Sequence, residues 1–103
     1  MNMFIYNITI KIDNDIVDEW LRWQKEIHIP EILGTGLFYE HRFFELLEQD
    51  ETDGRTFVIQ YFANTRKDYD TYIQHHAPVL RDKAIKKWGN QFIAFRTLLQ
   101  AVQ

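Results

Sequence analysis

A few polar residues interrupt otherwise apolar segments of this chain: Asn7, Gln60 and Arg96, together with either Arg42 or its neighbour His41. Polar groups converging among apolar neighbours are what a small-molecule site is made of. An arginine held in such a place wants an anion, because an unpaired buried charge is costly. A carboxylate or phenolate meets that need by pairing bidentately with the guanidinium. Arg96 and Arg42 are therefore the candidate ligand-binding charges, with Asn7 and Gln60 as neutral hydrogen-bonding partners and Thr9 beside them. Glu40 shares the alternation phase of Arg42, so an internal ion pair is a competing use of that arginine. The whole set also has a structural use: enclosed polar side chains bond to one another, or to a second copy, and fix a register.

His28 and His76 each stand two residues before a proline, in Glu26-Ile-His-Ile-Pro30 and Gln74-His-His-Ala-Pro78. A proline inside a helix removes one backbone donor, and an imidazole can satisfy the carbonyl left free. The alternative role is proton transfer, since imidazole titrates near neutrality. Glu26, Glu31 and Asp82 are the nearest carboxylates, but no HxH or HExxH spacing accompanies them, and a zinc site needs convergent ligands. No metal and no cofactor is expected. Cysteine is absent, which excludes a disulfide framework, a thiolate metal site and a thiol nucleophile. Trp20, Trp23 and Trp88 read as packing anchors. Arg81, Lys83, Lys86 and Lys87 read as a solvated basic stripe, Glu45–Asp53 as a solvated acidic hairpin, and His75 as a solvated neighbour.

The elements that would position these residues follow from periodicity. Met3–Ile12 alternates, with Phe4, Tyr6, Ile8, Ile10 and Ile12 on one side and Ile5, Asn7, Thr9 and Lys11 on the other, a strand pattern rich in β-branched residues. Asp13 and Asn14 offer an N-cap, and Ile16, Trp20, Trp23 and Ile27 recur at helical spacing. Pro30 predicts a kink near Glu26–Pro30, and Gly34 and Gly36 end the segment. Leu37–Glu48 is a second strand, Gln49–Gly54 a turn and Arg55–Ala63 a third strand. Asn64 and Thr65 cap a second helix carrying Tyr69, Ile73, His76, Leu80 and Ala84, interrupted by Pro78 and stopped at Gly89. Gln91–Val102 is a fourth strand. The order β-α-β-β-α-β is that of a ferredoxin-like α+β domain, with a four-stranded antiparallel sheet and both helices on one face.

The chain has 103 residues, 46% hydrophobic and 16% aromatic, which makes residues 1–103 one globular domain. A net charge of −3 and a pI near 5.7 argue against nucleic acid as a partner. The N-terminal segment lacks the layout of a secretion signal. The apolar runs fall far short of the ~20 residues that cross a bilayer. A cytoplasmic protein without membrane contact is expected. In the fourth strand, Phe92, Ala94 and Leu98 lie on one side and Ile93, Phe95 and Leu99 on the other, so both sides are apolar. An apolar patch of several hundred Å² is rare on a soluble monomer, and two copies pressing their open sheet faces together would cover it. With the second-strand phase open between His41 and Arg42, the open face is expected to hold Asn7, Thr9, Gln60 and Arg96. The expectation is a homodimer holding a small organic, anionic ligand between its sheets, or a dimer with a purely structural or interaction role.

The arrangement resembles the dimeric α+β barrel superfamily. The segments YNITIKID, DEWLRWQKEIHIPEIL, TGLFYEHRFFELL, VIQYFA, YIQHHAPVLRDK and FIAFRTLL resemble domain of unknown function family 4286 over almost the whole chain. The resemblance implies the barrel-like dimer and no particular reaction. Similar barrels include cofactor-independent monooxygenases and haem-degrading proteins, which supply the enzymatic alternative. The haem-degrading type pairs an Asn on the first strand with a Trp and a His on the second helix. Asn7 and His76 would match, whereas Tyr72 is the nearest aromatic to the expected Trp.

Overall fold

The first strand keeps the alternation read from its sequence. In the computed structural model, which describes residues 3–102, β1 spans Phe4–Ile12 and buries every even-numbered residue. Residues 1, 2 and 103, at the ends of the expected domain, lie outside the described residues. After β1 come a 3-10 turn (Asn14–Ile16), α1 (Val17–Trp23), a π-helical turn (Gln24–His28), α2 (Ile29–Leu33), β2 (Glu40–Glu45), β3 (Arg55–Ala63), α3 (Arg66–His75), α4 (Ala77–Trp88) and β4 (Phe92–Gln100). The four strands form one antiparallel sheet in the order β2-β3-β1-β4. Helices cover the face that carries Tyr6, Ile8, Phe57 and Tyr61. Trp20 of α1 packs on Phe43 and Phe57 at ring separations of 5.9 and 5.3 Å. Tyr72 of α3 packs on Tyr6 at 5.7 Å. The core lies between this layer and the sheet, and fully burying a side chain of this size contributes roughly 1.5–3 kcal/mol.

The prolines act more sharply than as kinks. Pro30 has no N–H for the carbonyl four residues back, and its ring crowds that carbonyl. The helix widens instead, so that Ile29 N–H donates to the Gln24 carbonyl in a π turn. Pro30 then falls in the first turn of α2, where a missing donor costs nothing. Pro78 likewise opens α4 after a break at His76, whose φ and ψ are −122° and −39°. The expected cap at Asp13–Asn14 makes no side-chain capping bond. Asn14 Nδ2 donates to the carbonyls of Glu51 and Thr52, tying the helix entry to the β2–β3 hairpin. Thr65 does cap α3, accepting from Asp68 N–H at 3.1 Å. The second strand is shorter than the expected Leu37–Glu48 because Phe38 turns into the core, where it is 4% exposed.

Gly54 closes the hairpin against the end of β1. A Cβ there would collide with the Ile12 carbonyl oxygen, and rigid backbone on both sides leaves it nowhere to move. Gly54→Ala should therefore lower stability by about 1–3 kcal/mol. Urea unfolding checks this, and an unchanged midpoint would show that the hairpin yields without cost.

Candidate functional site

The strand register sorts every candidate residue onto one face or the other. Directly opposed residues share a face, so the pairs Arg42–Gln60, Gln60–Asn7 and Asn7–Thr97 place those four residues in one row across the open face. Gln60 Nε2 donates to Asn7 Oδ1 at 3.2 Å, and Asn7 Nδ2 donates to Thr97 Oγ1 at 3.4 Å. Arg42 lies 3.7 Å from Glu40, its neighbour on the same face, and 5.9 Å over the Phe62 ring. The competing ion pair is thus the one formed. Mainly apolar rows flank the polar one: Phe62, Ile5 and Leu99 with Glu40 at the β2 end on one side, and Phe44, Val58 and Phe95 with Thr9 between the last two on the other. Phe44, Ile93, Phe95 and Leu99 are 46%, 58%, 67% and 42% exposed.

The register also corrects two assignments. Arg96 pairs with Ile8, a core residue, and therefore stands on the helix side with Phe92, Ala94 and Leu98, not on the open face with Asn7. Apolar residues on both sides of β4 made its phase unreadable from periodicity alone, and a slip of one residue exchanges faces. His41 pairs with Tyr61 and also faces the helices, its ring 6.5 Å from that of Tyr61. Of the alternatives on β2, Arg42 is the open-face residue.

The helix side gathers a second polar group that the sequence did not announce. Arg81 was expected on the solvated stripe of α4, yet it shares the buried stripe of Ala77, Leu80, Ala84 and Trp88. Its Nη2 donates to Tyr6 Oη at 2.9 Å. The signal was present: Arg81 lies four residues after Ala77 and three before Ala84, within the apolar helical repeat. Lys83 is held by Glu31 at 2.6 Å and Lys86 by Asp82 at 2.9 Å. Arg81 and Arg96 have no carboxylate at salt-bridge distance among the described residues. Burial pushes the Tyr61 and Tyr72 phenols above their usual range, so both stay protonated.

His28 ends the π turn and stacks on Trp23 at 4.4 Å, with the rings 18° apart. Its Nδ1 is buried and bonds to nothing, which corrects the expectation that it satisfies a freed carbonyl. Burial lowers its pKa to about 4, with Lys83 and Arg96 adding to the effect and Glu31 opposing it. An imidazole this acidic is a poor proton shuttle at neutral pH. His76 stacks on Tyr72 at 6.2 Å. Asn7 and His76 lie on opposite sides of the sheet, so the pair that the haem-degrading alternative requires does not converge. Among the described residues, no three His, Asp or Glu side chains come together as metal ligands, and no helix is long and apolar enough to cross a membrane.

This sheet order with helices on one face defines a ferredoxin-like α+β fold, the fold of dimeric α+β barrel proteins. The chain belongs to the family described as Domain of unknown function (DUF4286), whose model matches residues 3–102. A dimeric ferredoxin-like protein from an uncultured marine organism superposes with a TM-score of 0.69 at 10% identity, covering 100% of this chain and 98% of the other. SnoaB, a cofactor-independent oxygenase from Streptomyces nogalater, superposes at 0.67 and 11% identity, covering 97% and 94%. A protein from Bacillus halodurans described as of the ethyl tert-butyl ether D (EthD) family does so at 0.66 and 9%, covering 97% and 98%. At such identities the likeness is one of fold. No functionally curated protein matches the sequence.

Proposed function

We propose that the protein works in the cytoplasm as a homodimer joined through the open sheet faces, enclosing the Arg42–Gln60–Asn7–Thr97 rows beside a small organic ligand. The observation that carries this reading is the exposure of Phe44, Ile93, Phe95 and Leu99 around a hydrogen-bonded polar row. Covering those side chains removes apolar surface from water, the main driving force of association. The row gives the contact a register, since a slip would set amides against phenylalanines. Gln60 and Asn7 each keep hydrogen-bonding capacity beyond their bonds along the row. Once enclosed, that capacity needs a partner, either the second copy's row or a ligand with a polar group and an apolar body. Arg42 already has Glu40, so an anion between the sheets must compete with a carboxylate in place. The dimeric description of a protein with the same fold supports the assembly.

Sedimentation equilibrium at micromolar concentration should find a dimer, and a stable monomer would overturn the reading. Native mass spectrometry addresses the ligand. A reproducible small-molecule adduct on the wild-type dimer, lost in Gln60→Leu, is expected, whereas bare dimers in every preparation would leave the row a register device alone.

A further inference from the structure

Arg96 was expected between the sheets, and its true position puts it beside another unpaired guanidinium. Tyr6 pairs with Leu98 in the β1–β4 ladder, and Arg96 is two residues from Leu98 on the same face. Tyr6 and Arg96 are therefore diagonal neighbours, about 7–8 Å apart at the strand level and within reach of a long side chain. Arg81 comes to the same place from α4, through its bond to Tyr6 Oη. Both guanidiniums act electrostatically on the Tyr72 phenol, which packs against Tyr6.

The charges here do not balance. Arg81 gives one N–H to a neutral phenol, and its Nε is buried with no acceptor. Tyr61 Oη, two rings away through Tyr6, is also buried and unpartnered. The nearby acid Glu31 is occupied by Lys83. Buried donors almost always have acceptors, and leaving one without costs about 1–3 kcal/mol. The group that would satisfy the two guanidiniums is an anion with two acceptor oxygens. Because β4 is an edge strand and Arg96 is exposed, such an anion can enter from solvent without opening the core.

We propose that each subunit carries a carboxylate-binding site on the helix side of β4, in which Arg81 and Arg96 hold the two oxygens of a small organic acid beside the Tyr6 hydroxyl. This site goes beyond the inter-sheet reading above. It lies on the opposite side of the sheet and is complete within one subunit.

The test uses acetate, benzoate and 4-hydroxybenzoate as probes, with benzamide as the uncharged counterpart of benzoate. Thermal unfolding and isothermal calorimetry on the full chain should show stabilisation and binding by a carboxylate and none by benzamide. Arg96→Met, at an exposed position, should weaken that binding about tenfold or more and leave sedimentation unchanged. Arg81→Met should do the same where it folds. Arg22→Met, on the outer side of α1, should bind like the wild type. Three results would each overturn the proposal: no binding of any of the three acids, equal protection by benzamide, or undiminished carboxylate binding in Arg96→Met. None of these bears on the dimer, which sedimentation reads separately.

Discussion

Phe95→Glu should convert the proposed homodimer to a monomer and leave the fold intact. Phe95 is 67% exposed in the single subunit, so the subunit loses little when the ring is replaced. In a face-to-face dimer the same position is covered. A carboxylate there would be taken from water into an enclosure lined mainly by apolar rows, where Arg42 already has Glu40. Burying an unpaired charge costs several kcal/mol, and each 1.4 kcal/mol is tenfold in the dissociation constant. The substitution should therefore weaken association by about a hundredfold or more. The neighbouring variant Arg96→Met sharpens the test, because one step along β4 moves to the other side of the sheet and should leave the dimer unchanged. Sedimentation with circular dichroism on both variants checks the pair. A Phe95→Glu protein that remains dimeric would mean that the open face is not the interface.

That contrast between adjacent residues also marks where sequence reasoning stopped. In β1, apolar residues occupy one side and Asn7, Thr9 and Lys11 punctuate the other, so its phase was legible and the structure keeps it. β3 could be phased as well, because Gln60 shares its side with Val58 and Phe62 while Phe57, Ile59 and Tyr61 go to the core. β4 could not. A strand buried by helices on one side and meant for a second surface on the other is apolar on both, and period-two alternation then carries no phase. Only hydrogen-bonded pairing with β1 settles that Thr97, not Arg96, completes the polar row. Arg81 escaped for a different reason. A cation in a helix with three lysines reads as solvent-facing, although its spacing from Ala77 and Ala84 put it on the buried stripe. The two prolines were legible as interruptions. That one would produce a π turn with buried Gln24 and the other a restart after His76 depends on how each segment packs.

The π turn has a thermodynamic consequence at acid pH. His28 is half-buried against Trp23, its Nδ1 buried and unpartnered, and it keeps its neutral form down to about pH 4, against an ordinary value of 6.5. Burial is the main cause, Lys83 and Arg96 add to it, and Glu31 works against it without reversing it. The unfolded chain takes up a proton on His28 as pH falls through about 6.5, while the native chain does not until about 4. Unfolding therefore binds a proton across this window, and stability falls as pH falls. The contribution is whole above 6.5 and gone below 4, and a difference of this size corresponds to about 3 kcal/mol. About two-thirds of it should already be lost near pH 5. Glu45 and Asp50 also have lowered values, but from ordinary values of 4.5 and 3.8, so their losses come at lower pH. His28→Phe keeps an aromatic ring for Trp23 and removes the titration. Urea unfolding of wild type and variant at pH 7 and about pH 5 should show the wild type losing about 2 kcal/mol more than the variant. Parallel losses in the two proteins would mean that the imidazole titrates as it does in water, and that the π turn opens to admit solvent.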